Sequence, residues 1–179
     1  NLGYTGSEQF QTGHRFGWFP AISGGWIPTQ YKWVQKNMPW LEYFKIRASY
    51  GLVGNDRIGG TRFPYVTTIK DGYSGWNGLY ASKTENQVGT DGLVWEKAKK
   101  LDVGLDVHLF KGMVEFTVDY FKDKRDGIFQ QRATVPDEIG LESLPWANIG
   151  SMESHGMDGN ITFTKNWNKD WRTTVRGNF

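Results

Sequence analysis

The chain contains no cysteine, which excludes a disulfide framework and any thiolate metal site. It has no run of about 18 apolar residues, so no segment can cross a bilayer as a helix. That absence leaves strand-based spanning open, because a barrel strand carries a far weaker signal. Charge of one sign is not in excess either: 21 Lys and Arg stand against 19 Asp and Glu, a net +2. Composition therefore makes no case for nucleic acid as a partner. The opening at Asn1 lacks the basic region and apolar core of a signal peptide, as expected of an internal piece or of an exported protein after processing.

Catalytic patterns are missing as well. The three histidines, His14, His108 and His155, do not fall at the close spacing that metal or catalytic clusters use. Ser49, Ser151 and Ser154 lack a nucleophile-elbow context. Gly51-Leu52-Val53-Gly54-Asn55-Asp56 lacks the Lys-Ser/Thr ending of a phosphate loop. No enzymatic activity, no metal and no cofactor are expected.

What the chain does have is aromatic residues and glycine. Nine Trp, eight Tyr, eleven Phe and 23 Gly sit in a chain only 38% hydrophobic, a balance that suits strands, turns and exposed rings better than packed helices. The clearest pattern runs from Leu101 to Phe121. Leu101, Val103, Leu105, Val107 and Leu109 alternate with Asp102, Gly104, Asp106 and His108. After Lys111-Gly112, Val114, Phe116, Val118 and Tyr120 alternate with Glu115, Thr117 and Asp119. A period of two on both sides of a Lys-Gly turn predicts a β-hairpin with one apolar and one polar face. Two environments suit it: a soluble sandwich, or a membrane barrel with a wet lumen.

The remaining chain supplies further strands. Arg15 to Trp26 reads as an aromatic strand interrupted at Pro20, which implies an edge, a bulge or a bend. Trp26, Tyr31, Trp33, Trp40, Tyr43 and Phe44 are interleaved with Lys32, Gln35, Lys36 and Asn37, which argues for a membrane–water interface over a buried core. Phe44, Ile46, Ala48, Tyr50 and Leu52 alternate with Lys45, Arg47, Ser49 and Gly51. Ile161 and Phe163 share a face opposite Asp158, Asn160, Thr162 and Thr164, and Trp171 to Phe179 forms a last alternating strand. The expected total is about six strands. Short connections are expected near 35–40, 110–112 and 166–170, with longer ones near 54–92 and 124–147. Short turns at one end and long loops at the other are the asymmetry of an up-and-down barrel. Lys97, Lys99 and Lys100 read as a solvated strand entrance, and Lys122 to Gly127 as a charged exit.

Four blocks carry a family resemblance. They are Arg15-Phe16-Gly17-Trp18-Phe19-Pro20-Ala21-Ile22-Ser23-Gly24-Gly25-Trp26, Leu41 to Asn55, Trp95 to Asp106, and Asn148-Ile149-Gly150-Ser151-Met152-Glu153-Ser154-His155-Gly156. In this order they resemble the SusC/RagA-type TonB-dependent outer-membrane transporters. The resemblance implies an all-β, antiparallel, up-and-down transmembrane β-barrel, of which residues 1–179 would be one part, toward its C-terminal end. It also implies a plug domain and an energy-coupling peptide, neither of which is present in this chain. Family members import glycans or peptides with a SusD-like surface lipoprotein as lid, in the bacterial outer membrane, powered through TonB. Phe179 resembles the aromatic ending of outer-membrane barrels, but sequences similar to Trp171–Phe179 continue into further strands in the family, so a truncated barrel is expected.

For ligand contact, Trp76 and Tyr80 in the long loop are the candidates, since their rings offer apolar faces and polar edges to sugar or peptide. Packing of the loop against its neighbours is the simpler explanation of both. Asp102, Asp106, Glu115 and Asp119 could mimic a glycosidase pair or a calcium site. Hydration and cross-strand pairing with lysines account for them more simply. The rival readings are a soluble aromatic-rich β-sandwich that binds carbohydrate, and a small closed outer-membrane barrel acting as enzyme or adhesin.

Overall fold

The computed structural model describes residues 1–58, 62–74, 80–132 and 144–179. Its strands are β1 (Leu2–Gly6), β2 (Phe16–Trp26), β3 (Leu41–Asn55), β4 (Thr68–Ser74), β5 (Tyr80–Gln87), β6 (Glu96–Leu109), β7 (Val114–Gln131), β8 (Trp146–Asn166) and β9 (Arg172–Asn178). A 3-10 turn (Pro28–Gln30) and one short helix, α1 (Lys32–Asn37), lie between β2 and β3. Seven strands form one antiparallel sheet in the order β1-β2-β3-β6-β7-β8-β9, while β4 and β5 pair as a separate hairpin. Every main-sheet neighbour is the next main-sheet strand in the chain, the up-and-down order expected. Among the described residues β1 and β9 remain the two edges, so the sheet is open.

The alternating positions fall into register. Phe44, Val107, Phe116 and Ile161 form one row across β3, β6, β7 and β8, and Ile46, Leu105 and Val118 form the next. On the opposite face Lys45, Asp106, Thr117 and Asn160 make one row, and Arg47, Gly104, Asp119 and Asp158 another. Leu109 pairs with Val114 across the hairpin end, where Lys111 (φ 58°) and Gly112 (φ 74°) occupy the turn centre and Met113 N–H donates to the Phe110 carbonyl at 3.3 Å. Positive φ at both central residues matches the right-handed twist of the flanking strands. Pro20 lies where β2 changes partners: residues up to Pro20 pair with β1, and from Ala21 onward with β3. A residue without an N–H is tolerated at such a handover.

Three expectations need correction. The strands are more numerous than the six expected, because β1 has no strong periodicity and β4–β5 lie in a stretch whose alternation is mostly polar. The charged segment after Phe121 is no exit: β7 continues through it to Gln131, with Lys122, Lys124 and Asp126 on one face and Asp123 and Arg125 on the other. The ladder to β6 and β8 supplies the hydrogen bonds, so strand persists where hydrophobicity does not. Lastly, the connection expected near 35–40 spans residues 27–40 and holds both short helical elements. Thr29 ties it to the sheet, its buried hydroxyl accepting the Phe44 N–H at 3.2 Å. The turns 110–113 and 167–171 at that end are short, and the connections that follow β1, β3 and β7 leave from the other.

Where the long connections meet, a small core forms. Phe10, Ile58, Leu93, Trp95 and Phe129 are buried, with Phe19 and Trp146 packed against them. The Trp95 ring lies 5.2 Å from Phe10 and 5.3 Å from Phe19, and its Nε1 donates to the Arg15 carbonyl at 3.1 Å. Next to it β7 bulges at Gly127 (φ 73°). Asn148 bridges the gap: its side chain accepts from Val94 N at 3.0 Å and donates to the Val94 and Gly127 carbonyls at 2.8 and 2.7 Å. Trp95→Ala should therefore loosen one end of the sheet by about 3 kcal/mol, the cost of emptying a buried Trp site. Limited proteolysis reads this: cleavage should accelerate within 7–15 and 56–74 while the β6–β8 ladder stays protected.

Candidate functional site

On the charged face of the main sheet, ionisable side chains from three strands converge on one point. At its centre is Arg47 of β3. Its Nε lies 3.3 Å from Asp106, its Nη1 3.6 Å from Asp102, and its Nη2 2.6 Å from Asp119. Asp102 and Asp106 belong to the adjacent strand β6, and Asp119 belongs to β7, two strands away. Neighbouring strands are about 4.8 Å apart, so the guanidinium must lie flat across β6 to reach it. Gly104 occupies the crossing point, directly between Arg47 and Asp119 in register. A Cβ there would collide with both the guanidinium and the Asp119 carboxylate. Glycine is needed for close approach, and its φ is unexceptional.

A planar fork of five N–H donors can serve several carboxylates at once, which a lysine ammonium does less well. Pairing with lysines is thus corrected for Asp102, Asp106 and Asp119. Arg47 partners all of them. Further along the same face Asp123 is shared by Lys100 at 3.5 Å and Arg125 at 3.4 Å. His108 stands opposite Glu115 and stacks near Tyr43, with ring centroids 5.0 Å apart. At the core end the buried Glu96 accepts from Asn55 Nδ2 at 3.1 Å. Asp102, Asp106, Asp119 and Asp123 are thus engaged with cations. They do not present two free carboxyl groups across a cleft as glycoside hydrolysis needs. Among the described residues no cluster of His, Asp and Glu has the arrangement of a metal site.

Of the two proposed ligand-contacting aromatics, only Tyr80 is among the described residues, and it belongs to the two-stranded sheet rather than the main one. Tyr80 opens β5 in the separate hairpin and is 70% exposed. Tyr73, on the partner strand β4, is also exposed, and Lys83 and Asp71 pair across the hairpin. Trp76 lies outside the described residues. Sequence reasoning missed Arg47 as the organising group. The alternation of β3 put it on the polar face, but only the register of three strands reveals which acids it meets.

The opposite face is apolar and uncovered. Ile22, Met157 and Val175 are more than half exposed, and Ile46, Val103, Tyr120, Ile161 and Phe163 remain in part accessible. The two-stranded β4–β5 unit is the other sheet among the described residues, and the apolar face is not packed beneath a second sheet as a sandwich requires. An open antiparallel sheet, one face apolar and the other laced with ion pairs, with long connections gathered at one end, is the wall of a β-barrel with a polar interior.

Comparison with known proteins agrees with this class. Residues 2–179 match the family described as TonB dependent receptor-like, beta-barrel. The chain belongs to that family. TonB-dependent receptor P39 of Formosa agariphila is 31% identical over 176 residues, covering 97% of this chain and 16% of the relative. TonB-dependent receptor SusC of Bacteroides thetaiotaomicron is 26% identical, covering 88% of this chain and 16% of that protein. The fold is shared with the RagAB peptide importer in its "open-open" state, at a TM-score of 0.80 and 24% identity over 97% of this chain and 18% of that one. The chain thus spans about a sixth of the length of these curated relatives. The SusC/RagA-type resemblance carried by the four sequence blocks holds. The structure also joins the first three blocks physically, through Trp95 with Arg15 and Phe19 and Asn55 with Glu96, and Asn148 of the fourth bonds Val94, the residue just before the third.

Arg47→Gln should strand three carboxylates on one face. The side chain is 35% exposed, so solvent screening holds the loss to about 1 kcal/mol. In thermal melts Asp119→Asn should recover part of that loss in the Arg47→Gln background. Strictly additive losses from the two substitutions would show that the pair is not coupled.

Proposed function

We propose that residues 1–179 are one stretch of the barrel domain of a SusC-like, RagA-like TonB-dependent importer in the bacterial outer membrane. In this reading the apolar face meets lipid and the face centred on Arg47 lines the lumen. The plug domain and the energy-coupling peptide belong to polypeptide outside this chain. The barrel works with a SusD-like surface lipoprotein that closes over the long-loop end, and an inner-membrane TonB complex supplies the energy. The substrate is a glycan or a peptide, bound and moved without a covalent step, so the protein is a transporter and no enzyme.

The observation that carries this reading is the family match along nearly the whole chain, on a sheet whose two faces differ so sharply. The names of the relatives support the substrate class, one being SusC and the fold neighbours being described as peptide transporters or importers. Dimensions agree as well. The apolar rows extend along β6 from Leu101 to Leu109, about 27 Å of strand at 3.4 Å per residue. Tilted by about 40°, they cover roughly 20 Å of depth, close to the band of about 25 Å that outer-membrane barrels expose. At the short-turn end the exposed Trp33, Trp40, Phe110, Trp167 and Trp171 form an aromatic girdle. Leaving such a sheet bare in water would cost about 25 cal/mol per Å² of apolar surface. A lipid environment removes that cost.

The ion pairs of the inner face then act as a rigid, hydrated wall, and ligand capture falls to the loops. Trp76 and Tyr80 in the 56–95 connection supply rings on which a sugar or peptide can stack. In cells of the source organism, deleting the gene should abolish uptake of a labelled oligosaccharide or oligopeptide, and a protonophore should do the same in wild type. Trp76→Ala with Tyr80→Ala should lower uptake several-fold at subsaturating ligand, with the amount of protein in the outer-membrane fraction unchanged. Recovery of the protein in the soluble fraction would refute the membrane reading and favour a carbohydrate-binding module.

A further inference from the structure

On the outward face of β6 and β7 the apolar rows stop toward the long-loop end, while β3 continues with Leu52 beside Lys99. Above the level of Leu101 and Tyr120 the alternating positions become Lys99 and Lys97 on β6 and Lys122 and Lys124 on β7. Lys99 stands directly opposite Lys124 in register, and Lys97 opposite Asp126. Like charges directly opposed on a sheet destabilise it unless a counter-charge lies between them. The acids on this patch are Asp126, 3.3 Å from Lys99, and Glu153 of β8, 2.7 Å from Lys122. Four lysines therefore share two carboxylates: Lys122 stands opposite His155 and Lys124 opposite Glu153 in register, and among the described residues neither Lys97 nor Lys124 has a carboxylate within ion-pair distance. The inner face differs: there Arg47 is surrounded by three carboxylates, and Lys100 and Arg125 both meet Asp123.

We infer that Lys97, Lys99, Lys122 and Lys124 form a collar that binds phosphate-bearing lipid headgroups of the outer leaflet. The inference rests on the membrane reading proposed above, which puts this patch at the upper edge of the lipid-facing band. The patch continues that band without a gap, so an acyl chain lying against Leu101, Val103 and Tyr120 would bring its headgroup level with the lysines. A phosphate between Lys99 and Lys124 balances the excess of four lysines over two carboxylates on this patch. Flexible lysine stems can lie along the neighbouring apolar surface while their ammonium groups reach the headgroup layer. Regular pairing of β6 with β7 through this region keeps the four side chains on one side. A purely solvated extension has no need of a like-charge pair there.

The test uses the detergent-purified full-length protein that carries this chain, incubated with phosphatidic acid or phosphatidylcholine and examined by native mass spectrometry. Wild type should retain phosphatidic acid in preference to phosphatidylcholine. Lys99→Gln with Lys124→Gln should lower that preference roughly 30-fold, given about 1 kcal/mol for each of the two basic residues at an anionic surface. Lys99→Arg with Lys124→Arg should preserve it, and so should Lys100→Gln on the inner face. Equal retention by wild type and the Gln double variant, or loss of preference in the Arg variant, would overturn the collar. Displacement of the lipid by millimolar inorganic phosphate would do the same, since it would make the site one for a free anion. Binding of neither lipid by wild type would refute the membrane reading itself, and partitioning into phosphatidylcholine without anionic preference would refute the collar alone.

Discussion

The structure depends on the side-to-side register of β3, β6 and β7, and Arg47 is the interaction that reads all three. Its guanidinium crosses β6 over Gly104 and closes on Asp119, while its other nitrogens face Asp102 and Asp106. A slip of one residue in any of these strands would turn the acids to the apolar face and bring Val or Leu to the polar one. The ion pairs contribute little stability each, because they are partly hydrated. Their larger effect is to make the correct register better than its neighbours. The same register sets the apolar rows on the other side, so the two faces are one property of the sheet.

At the long-loop end a second constraint operates. Strands that outrun the apolar rows keep their backbone hydrogen bonds but lose hydrophobic side chains to cover. The buried cluster of Phe10, Ile58, Leu93, Trp95 and Phe129 replaces that support and ties the 7–15 and 56–95 connections to β6 and β7. Asn148 completes it by standing in for the backbone partner displaced at the Gly127 bulge. The loops proposed to meet ligand are thus carried on a braced rim. Below the rim the wall presents fixed charge, and outside the rim it presents lysines at the level proposed for lipid headgroups.

Legibility in the sequence followed periodicity. The β6–β7 hairpin, β3 and the strand around Ile161 alternate cleanly, and all of them formed with the expected faces. The Lys111-Gly112 turn was readable because glycine accepts positive φ. The four family-like blocks were readable as a resemblance, and the first three turned out to touch one another near Trp95. Hidden were β1, which is only five residues long, the β4–β5 hairpin, whose apolar residues are few, and the continuation of β7 through Lys122 to Asp126. In those segments strand is stabilised by partners on either side, a source of information that no local pattern contains. The helical turns in 27–40 were hidden for the opposite reason: their aromatic residues look strand-like, yet Thr29 and the packing beneath them bend the chain.

By itself the sequence determined that the chain is all-β, that its main strands have one apolar and one polar face, and that no helix of it crosses a membrane. These follow from side-chain alternation and composition, which are local. Only the tertiary structure decided that Arg47 serves three acids, that Lys99 faces Lys124, and that the apolar face lies uncovered. Each of those depends on which residue stands beside which across a strand gap of about 4.8 Å, and hydrogen-bond register sets that spacing between residues far apart in the chain.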